Sequence, residues 1–498
     1  MSYRALHGHF RRIGDLQHAQ SMLSWDEAVM MPRGGGSGRA DSLATLAGVV
    51  HTMISDPCVG EWSDAASQES ELDEWERANV RQIQRLWRRA RAVPEALVVE
   101  FSRETARCEQ AWRVRRVDND WNAMVEPLHR VVELIRRRGE ALGDALGMDP
   151  YDALMDEFEP GMSRSSIDPV FEKLKRALPA LIDTALGTQR DALPMPGPFT
   201  DAQQAALGRN LMERIGFDFE RGRLDTSHHP FCGGDPDDTR ITTRYNRQAF
   251  LESMFAVLHE TGHAMYEQGL PVDWRRQPVG SSGGMALHES QSLLMEMQVC
   301  RSLDFLQYAV PIVRECLGAD NNDPAWSAEN LHRAATRVER GFIRVDADEV
   351  TYPMHVILRY ELEQHLIVGS MRVTDIPDAW DAKMTEYLDL RTAGNDRDGC
   401  MQDVHWFTGL IGYFPTYTMG ALTAAQLFAA ARAAGVAEGI GQGEFEPLLA
   451  WLRSNVHTQA SAKSTMEILE QATGAPLRTD AFLAHVARRY GAVDRLQT

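Results

Sequence analysis

The chain has 498 residues, of which 44% are hydrophobic and 25% are charged, as in ordinary globular proteins. Its 71 acidic residues outnumber its 52 basic ones, so the formal net charge is -19, and no long run of lysine and arginine is present. This composition argues against disordered, membrane-spanning and nucleic-acid-binding classes, and favours peptides or small molecules as partners.

The N-terminal stretch MSYRALHGHFRRIGDLQHAQ lacks the apolar region of a signal peptide. The most apolar segment, ALTAAQLFAAARAAGVAEG, is interrupted by polar residues, so it predicts an alanine-rich helix and no membrane span. Six cysteines are scattered singly without C-x-x-C spacing, which indicates neither a disulfide framework nor a cysteine zinc site. We therefore expect a cytoplasmic protein in a reducing environment.

Helical periodicity dominates the chain, as in residues 72–93, 170–186 and 250–268, where apolar residues recur at spacings of three and four. The glycine- and proline-rich breaks are short, and none has the length of a flexible linker. The sequence therefore predicts a mostly α fold in which residues 1–498 form a single large domain.

Two sequence patterns predict where helices begin. Asp168 followed by Pro169 predicts a capped start with proline at the first helical position, and Thr200 with Gln203 predicts a capping box.

One strand is predicted at RITTRYN, residues 240–246, where β-branched and aromatic residues alternate with polar ones. It lies directly before the helix predicted at 250–268. A strand in this position could pair with an extended substrate by strand addition, or it could belong to a small structural hairpin without a ligand. The sequence leaves both interpretations open.

The stretch LHETGHAMYEQGL, residues 258–270, carries the pattern of a zinc-dependent hydrolase. His259 and His263 are four residues apart, so they lie on one face of a helix, about 6 Å from each other, and both can reach one ion. Glu260, rotated by about 100° from His259, is placed to act on a water molecule at that ion as acid and base.

A catalytic zinc needs a third protein ligand. A histidine six residues beyond His263 is excluded because that position is Gly269. Glu267 is also excluded, because it lies on the same helix face as the histidines and cannot approach the ion from a second direction. The remaining candidates lie on the next predicted helix, ALHESQSLLMEMQVCRSLDFL. Glu289, 26 residues after His263 and at the start of that helix, is the favoured ligand, and Glu296 is the alternative.

HETGH, followed by HESQ on the next helix, resembles the carboxypeptidase Taq family of zinc carboxypeptidases. Four further stretches resemble the family's signature blocks in their usual order: SWDEAVMMPRGG, HPFCGGDPDDTRITTRY, IRVDADEVTYPMH and GCMQDVHWFTGLIGYFPTY. The resemblance therefore spans nearly the whole chain. Leu293 and Met295 depart from it, since the family is expected to have arginine and tryptophan there.

The resemblance implies zinc ligands His259, His263 and Glu289, with Glu260 as the catalytic acid and base. It also implies a mostly helical subunit with two lobes around a deep active-site groove and a small β-sheet beside the metal helix. A homodimer and the release of single amino acids from peptide C-termini are further implications. Cobalt or manganese could replace zinc, because ligand affinity does not determine which metal is available.

Several residues are candidates for contact with the substrate. His405 in QDVHW and Tyr413 in GYFP could donate hydrogen bonds to the oxyanion that forms during hydrolysis, although core packing is an alternative for each. The family block suggests that Arg344 binds the terminal carboxylate of the peptide through two parallel hydrogen bonds. Its alternative role is a structural ion pair with Asp346 or Asp348.

Three weaker candidates surround the predicted strand. Arg240 is expected to pair with Asp238 and to hold the substrate strand in place, and His229 could line the groove. Trp25, next to Asp26, is interpreted as packing near the groove mouth.

The sequence favours a zinc carboxypeptidase that acts on peptides with a free C-terminal carboxylate. The alternative within the enzymes is a zinc endopeptidase or a dipeptidyl carboxypeptidase on a related helical fold. A peptide-binding or structural protein with an absent or inert metal is a third possibility, but Glu260 argues against it because such a protein has no chemical need for that carboxylate.

Overall fold

The structure is a computed structural model that describes residues 2–491, and most of them are helical. The first ten of the nineteen α-helices in this range are α1 (Ser2–Val29), α2 (Gly36–Ser55), α3 (Pro57–Ala66), α4 (Glu74–Ala92), α5 (Glu95–Arg115), α6 (Asn122–Leu146), α7 (Pro150–Phe158), α8 (Arg164–Thr188), α9 (Asp201–Ile215) and α10 (Phe250–Gln268). The others are α11 (Met285–Leu293), α12 (Leu303–Leu317), α13 (Ala328–Ala335), α14 (Tyr352–Val368), α15 (Ile376–Leu388), α16 (Pro415–Ala433), α17 (Glu446–Asn455), α18 (Thr465–Thr473) and α19 (Asp480–Arg489). The prediction of a mostly α fold is confirmed.

A three-stranded sheet consists of β1 (Gly222–Thr226), β2 (Phe231–Asp235) and β3 (Asp238–Thr243), in the order β1-β3-β2. β3 corresponds to the strand predicted from the sequence, and it pairs in parallel with β1 and antiparallel with β2. Because β3 is the central strand, its backbone is occupied on both sides and it cannot accept an extended substrate. The strand-addition interpretation of this segment is therefore wrong.

β1 and β2 were not predicted. They are only five residues long, and their glycines and charged residues hide the alternation that marks a strand.

The two predicted helix starts have different outcomes. Thr200 and Gln203 form the expected capping box at α9. The start predicted at Asp168 is wrong, because α8 begins at Arg164 and its first turn is capped by Ser163. Asp168 lies inside the helix and its carboxylate accepts a hydrogen bond of 2.6 Å from the Tyr360 hydroxyl, so its oxygen serves a tertiary contact.

The chain divides into two compact units. Among the described residues, the first comprises residues 2–90, 190–336 and 423–477. The second comprises residues 91–189, 337–422 and 478–491. Each unit is assembled from three separated stretches, which explains why no linker-like segment of sequence marks a boundary.

In the first unit, α10 packs against α9, α11 and β3. Its apolar side chains Val257, Leu258, Ala264 and Tyr266 are almost completely buried. The histidines of HETGH therefore lie on a helix that is fixed on several sides.

Across residues 2–491, no helix combines the length and the apolar content that crossing a bilayer requires. All six cysteines are free thiols.

Candidate metal centre

The candidate metal centre is built by α10, α11 and the turn of helix that follows them. Gly269 ends α10, and α11 begins after the turn-rich residues 270–284. After Leu293 the chain continues as a π-helix, Leu294–Cys300, a rare geometry that occurs often at functional sites. Glu289 lies on α11 and Glu296 lies on the π-helix, so both candidate glutamates are near α10.

Gly262, between the two histidines, allows α10 and α11 to approach closely. A Cβ atom at this position would lie 2.5 Å from the carbonyl oxygen of Gln291 and 2.6 Å from the Cα atom of Ser292. Any larger residue would push the helices apart. The glycine therefore sets the distance at which Glu289 meets the histidines.

The structure brings His259, His263 and Glu289 together as three groups whose ligand atoms all lie within 4.8 Å of one another. The Oε2 atom of Glu289 is 3.5 Å from Nε2 of His263 and 4.0 Å from Nε2 of His259. Around a tetrahedral zinc with bonds of about 2.0 to 2.2 Å, ligand atoms are about 3.3 to 3.6 Å apart. The two distances to Glu289 lie within a few tenths of an ångström of this spacing, and a set of two imidazoles and one carboxylate suits a zinc-type ion.

Glu296 lies behind His259 rather than among the three converging groups. Its Oε2 atom is 2.9 Å from Nδ1 of His259, and its other oxygen pairs with Arg301 at 2.7 Å. Burial alone would lower the pKa of His259, but the hydrogen bond that its Nδ1 donates to the Glu296 carboxylate and the other nearby carboxylates raise it to about 10. Because Glu296 contacts Nδ1 of His259, the other ring nitrogen, Nε2, faces Glu289.

A different pair of residues lies behind His263. Nδ1 of His263 is 2.7 Å from Nδ1 of His288, and Nε2 of His288 is 2.9 Å from Oε1 of Glu267. Burial and the neighbouring charge of His288 lower the pKa of His263 to about 4. Burial would raise the pKa of Glu267, but its hydrogen bond with His288 holds that pKa below the usual value.

Glu260 is 8% exposed and lies within electrostatic reach of His259 and Glu289. Burial raises the pKa of its carboxyl to about 7, although the charge of His259 opposes the shift. Cys232 on β2 is close enough for Glu260 to affect its thiol, whose pKa is raised mainly by burial. A carboxyl group that titrates near neutrality is suited to both accepting and donating a proton.

Arg240, on β3, forms the predicted pair with Asp238, through two hydrogen bonds of 2.7 and 2.8 Å. Its guanidinium also stacks 4.3 Å above the ring of Trp25, and Arg223 stacks on the same ring at 5.1 Å. The packing predicted for Trp25 is thus a contact with two arginines. His229 is exposed in the turn between β1 and β2.

The remaining predicted residues belong to the second unit, where Arg344 is 4% exposed. Its carboxylate partner is Asp403, which accepts from Nε at 3.1 Å and from Nη2 at 2.8 Å, and not Asp346 or Asp348. Arg359 contacts the same aspartate, with Nε 2.8 Å from Oδ2. Burial would raise the pKa of the Asp403 carboxyl, but the two guanidinium groups hold it far below its usual range.

His405 and Tyr413 lie in the same unit as part of an aromatic cluster. Nε2 of His405 is 3.2 Å from the hydroxyl of Tyr417, and the rings of His405 and Tyr413 have centroids 5.8 Å apart. Tyr413 also packs edge to face on Phe158 at 5.0 Å. Burial lowers the pKa of His405 to about 4, so its imidazole is neutral at pH 7.

Sequence patterns did not identify Gly262, His288 or Asp403 as parts of these clusters. His288 directly precedes Glu289 in HESQ, so the sequence places it near the metal centre but does not indicate that it contacts His263. The contact at Gly262 depends on which helix packs there, and Asp403 is 59 residues away from Arg344.

A family model described as carboxypeptidase Taq (M32) metallopeptidase matches residues 5–490. The chain is 38% identical over 491 residues to thermostable carboxypeptidase 1 of Thermus thermophilus, with 95% of each chain covered. Among solved structures it is similar to Trypanosoma cruzi metallocarboxypeptidase 1, with a TM-score of 0.95 and 37% identity, over 98% of this chain and 99% of that one. The M32 carboxypeptidase of Deinococcus radiodurans R1 has a TM-score of 0.93 and 34% identity, over 99% of both chains. The similarity thus extends far beyond the stretch around His259.

Proposed function

Because the chain belongs to the carboxypeptidase Taq (M32) family and is a metallocarboxypeptidase, we propose that it releases single residues from peptide C-termini with a zinc ion held by His259, His263 and Glu289. The observation that carries the proposal is the convergence of two Nε2 atoms and one carboxylate oxygen within 4.8 Å. This donor set suits zinc, and cobalt or manganese are the other candidate ions.

A divalent metal in this site supplies Lewis-acid polarisation of the peptide carbonyl and of a water molecule. Glu260 then accepts the proton of the attacking water and delivers it to the leaving amine. Its burial and its pKa near 7 support both steps, because the carboxyl can exist in either protonation state at neutral pH.

Arg344 is proposed to bind the terminal carboxylate of the peptide. Asp403 occupies the edge of the guanidinium formed by Nε and Nη2, and the Tyr352 hydroxyl accepts one hydrogen bond from Nη1 at 3.0 Å. A guanidinium has five N–H donors, so one hydrogen on each of Nη1 and Nη2 is left to form a fork for a second carboxylate. Since Arg359 shares Asp403, the two cations also exceed the single buried anion between them.

Four other residues are proposed to contact the substrate, and the surroundings of each one support its role. His405 is neutral and Tyr413 lies beside it in the aromatic cluster, so each is suited to donate a hydrogen bond to an oxyanion. Arg240 is fixed by Asp238 and Trp25, which suits a side chain that positions a peptide, and His229 is accessible. A homodimer and a cytoplasmic location remain predictions from the resemblance and from the cysteine usage.

Peptide digestion tests the direction and the step size of cleavage. The purified protein is incubated with one peptide that bears either a free or an amidated C-terminus, with and without a chelator, and the products are identified by mass. We expect stepwise loss of single residues from the free-acid peptide only, abolished by the chelator. Internal cleavage of the amidated peptide would indicate an endopeptidase, and loss of two residues at a time a dipeptidyl carboxypeptidase.

A further inference from the structure

The two histidines of HETGH are supported in different ways. His259 contacts a carboxylate directly, whereas a second histidine, His288, lies between His263 and its carboxylate, Glu267. His288 and Glu267 are 16% and 22% exposed at their side chains, so both are largely shielded from water. Neither residue has a role in the chemistry described so far.

The proton positions along this chain of contacts follow from the chemistry of the imidazole ring. If Nε2 of His263 binds a metal, its lone pair is used there and its proton is on Nδ1. Nδ1 of His288 must then accept that hydrogen bond, so the proton of His288 is on Nε2, where it is donated to Glu267. A carboxylate acceptor at the end of the chain favours this arrangement over the reverse one.

His288 is not a fourth ligand at the same ion. Its Nδ1 atom is only 2.7 Å from Nδ1 of His263, and that atom of His263 points away from the Nε2 that faces Glu289. Glu267 lies one helical turn beyond His263 and its carboxylate is used by His288. The hydrogen bonds therefore connect both residues to the proposed metal ligands through His263.

We propose that His288 and Glu267 are positioning residues that hold His263 in the tautomer and ring orientation required for metal binding, and so determine the affinity of the centre for its metal. The proposal rests on the proposed ligand set. It predicts that loss of His288 or of the Glu267 carboxylate weakens metal binding even though all three proposed ligands remain.

The test is the zinc dissociation constant of the full-length protein, measured by competition with a chelator of known affinity. For His288→Phe we expect the constant to rise about 10- to 100-fold, because partners behind a ligand have effects of this size. His485→Phe is the matched control, since His485 is also buried and its Nε2 lies 2.9 Å from Glu349, but in the second unit. We expect this control to leave the constant unchanged.

Glu267→Gln is the second variant, and it decides the question if His288→Phe does not fold. It keeps the size of the side chain and removes the charge, so we expect a rise in the zinc dissociation constant that is smaller than for His288→Phe. Unchanged zinc affinity in the folded variants would overturn the proposal. Glu289→Ala is measured in parallel, because retention of metal by that variant would show that the ligand set itself is wrong.

Discussion

Replacing Gly262 by alanine tests whether the close approach of α10 and α11 creates the metal site. The added Cβ atom would lie 2.5 Å from the carbonyl oxygen of Gln291, and an ordinary contact begins at 3.4 Å. The helices must therefore separate by about 0.9 Å at this point, because protein interiors yield little to added volume. Both groups in contact with the new atom are backbone, so a side-chain rotation cannot relieve the clash.

A displacement of this size matters more to metal binding than to folding. Overpacking costs about 1 to 3 kcal/mol of the free energy of unfolding. A metal site, however, requires its ligand distances within about 0.2 Å, and Glu289 is carried by the helix that moves. We therefore expect Gly262→Ala to fold but to lose most of its metal affinity at equal protein concentration.

The assay measures zinc affinity by chelator competition and the unfolding of the metal-free protein in denaturant. Gly48→Ala is the control, because Gly48 is inside α2 and a Cβ atom there meets nothing within 4 Å. That change is expected to leave zinc affinity unchanged and to stabilise the protein by about 0.4 to 1 kcal/mol. Wild-type zinc affinity in Gly262→Ala would refute the idea that the glycine sets the position of Glu289.

The other substitutions test single roles. Glu260→Gln should keep its metal and lose about 100-fold or more in kcat, measured by release of the C-terminal residue, because the proton acceptor is lost; full activity would show that the base is another group. Glu289→Ala should lose both metal and activity in elemental analysis and peptide assays, and unchanged metal content would point to Glu296 instead. Arg344→Met should lower kcat/KM on free-acid peptides at least about 30-fold, since removing one partner of a buried charge pair costs about 2 kcal/mol or more. Arg372→Met, at a side chain that is 81% exposed, should leave kcat/KM unchanged, and equal values for both variants would remove Arg344 from substrate binding.

The features that sequence could predict are those contained within one helix. The spacing of His259 and His263 places them on the same face wherever α10 packs, because the helical repeat alone determines it. Glu289 was predictable for a second reason, since a turn-rich segment between two helices brings their facing ends together. The capping box of Thr200 and Gln203 is equally local.

The surroundings of these residues were not predictable, because they depend on tertiary packing. Glu296 was considered as a ligand, but it lies on the π-helix after Leu293 and contacts Nδ1 of His259 instead. The pairing of His288 with His263 likewise depends on how closely α11 approaches α10. Helical periodicity predicts neither of these contacts, because it does not determine how closely two helices approach each other.

Arg344 shows why neighbours in sequence are poor predictors of buried ion pairs. Asp348 is four residues away and was a plausible partner, but its carboxylate accepts hydrogen bonds from the backbone N–H groups of Val350 and Thr351 just before α14. An aspartate that satisfies the start of a helix has fewer lone pairs for a guanidinium, so Arg344 pairs with Asp403. Arg359 contacts the same carboxylate, so Asp403 alone does not balance both guanidinium groups. A peptide carboxylate bound by Arg344, as proposed, would add a second anion beside these two guanidinium groups.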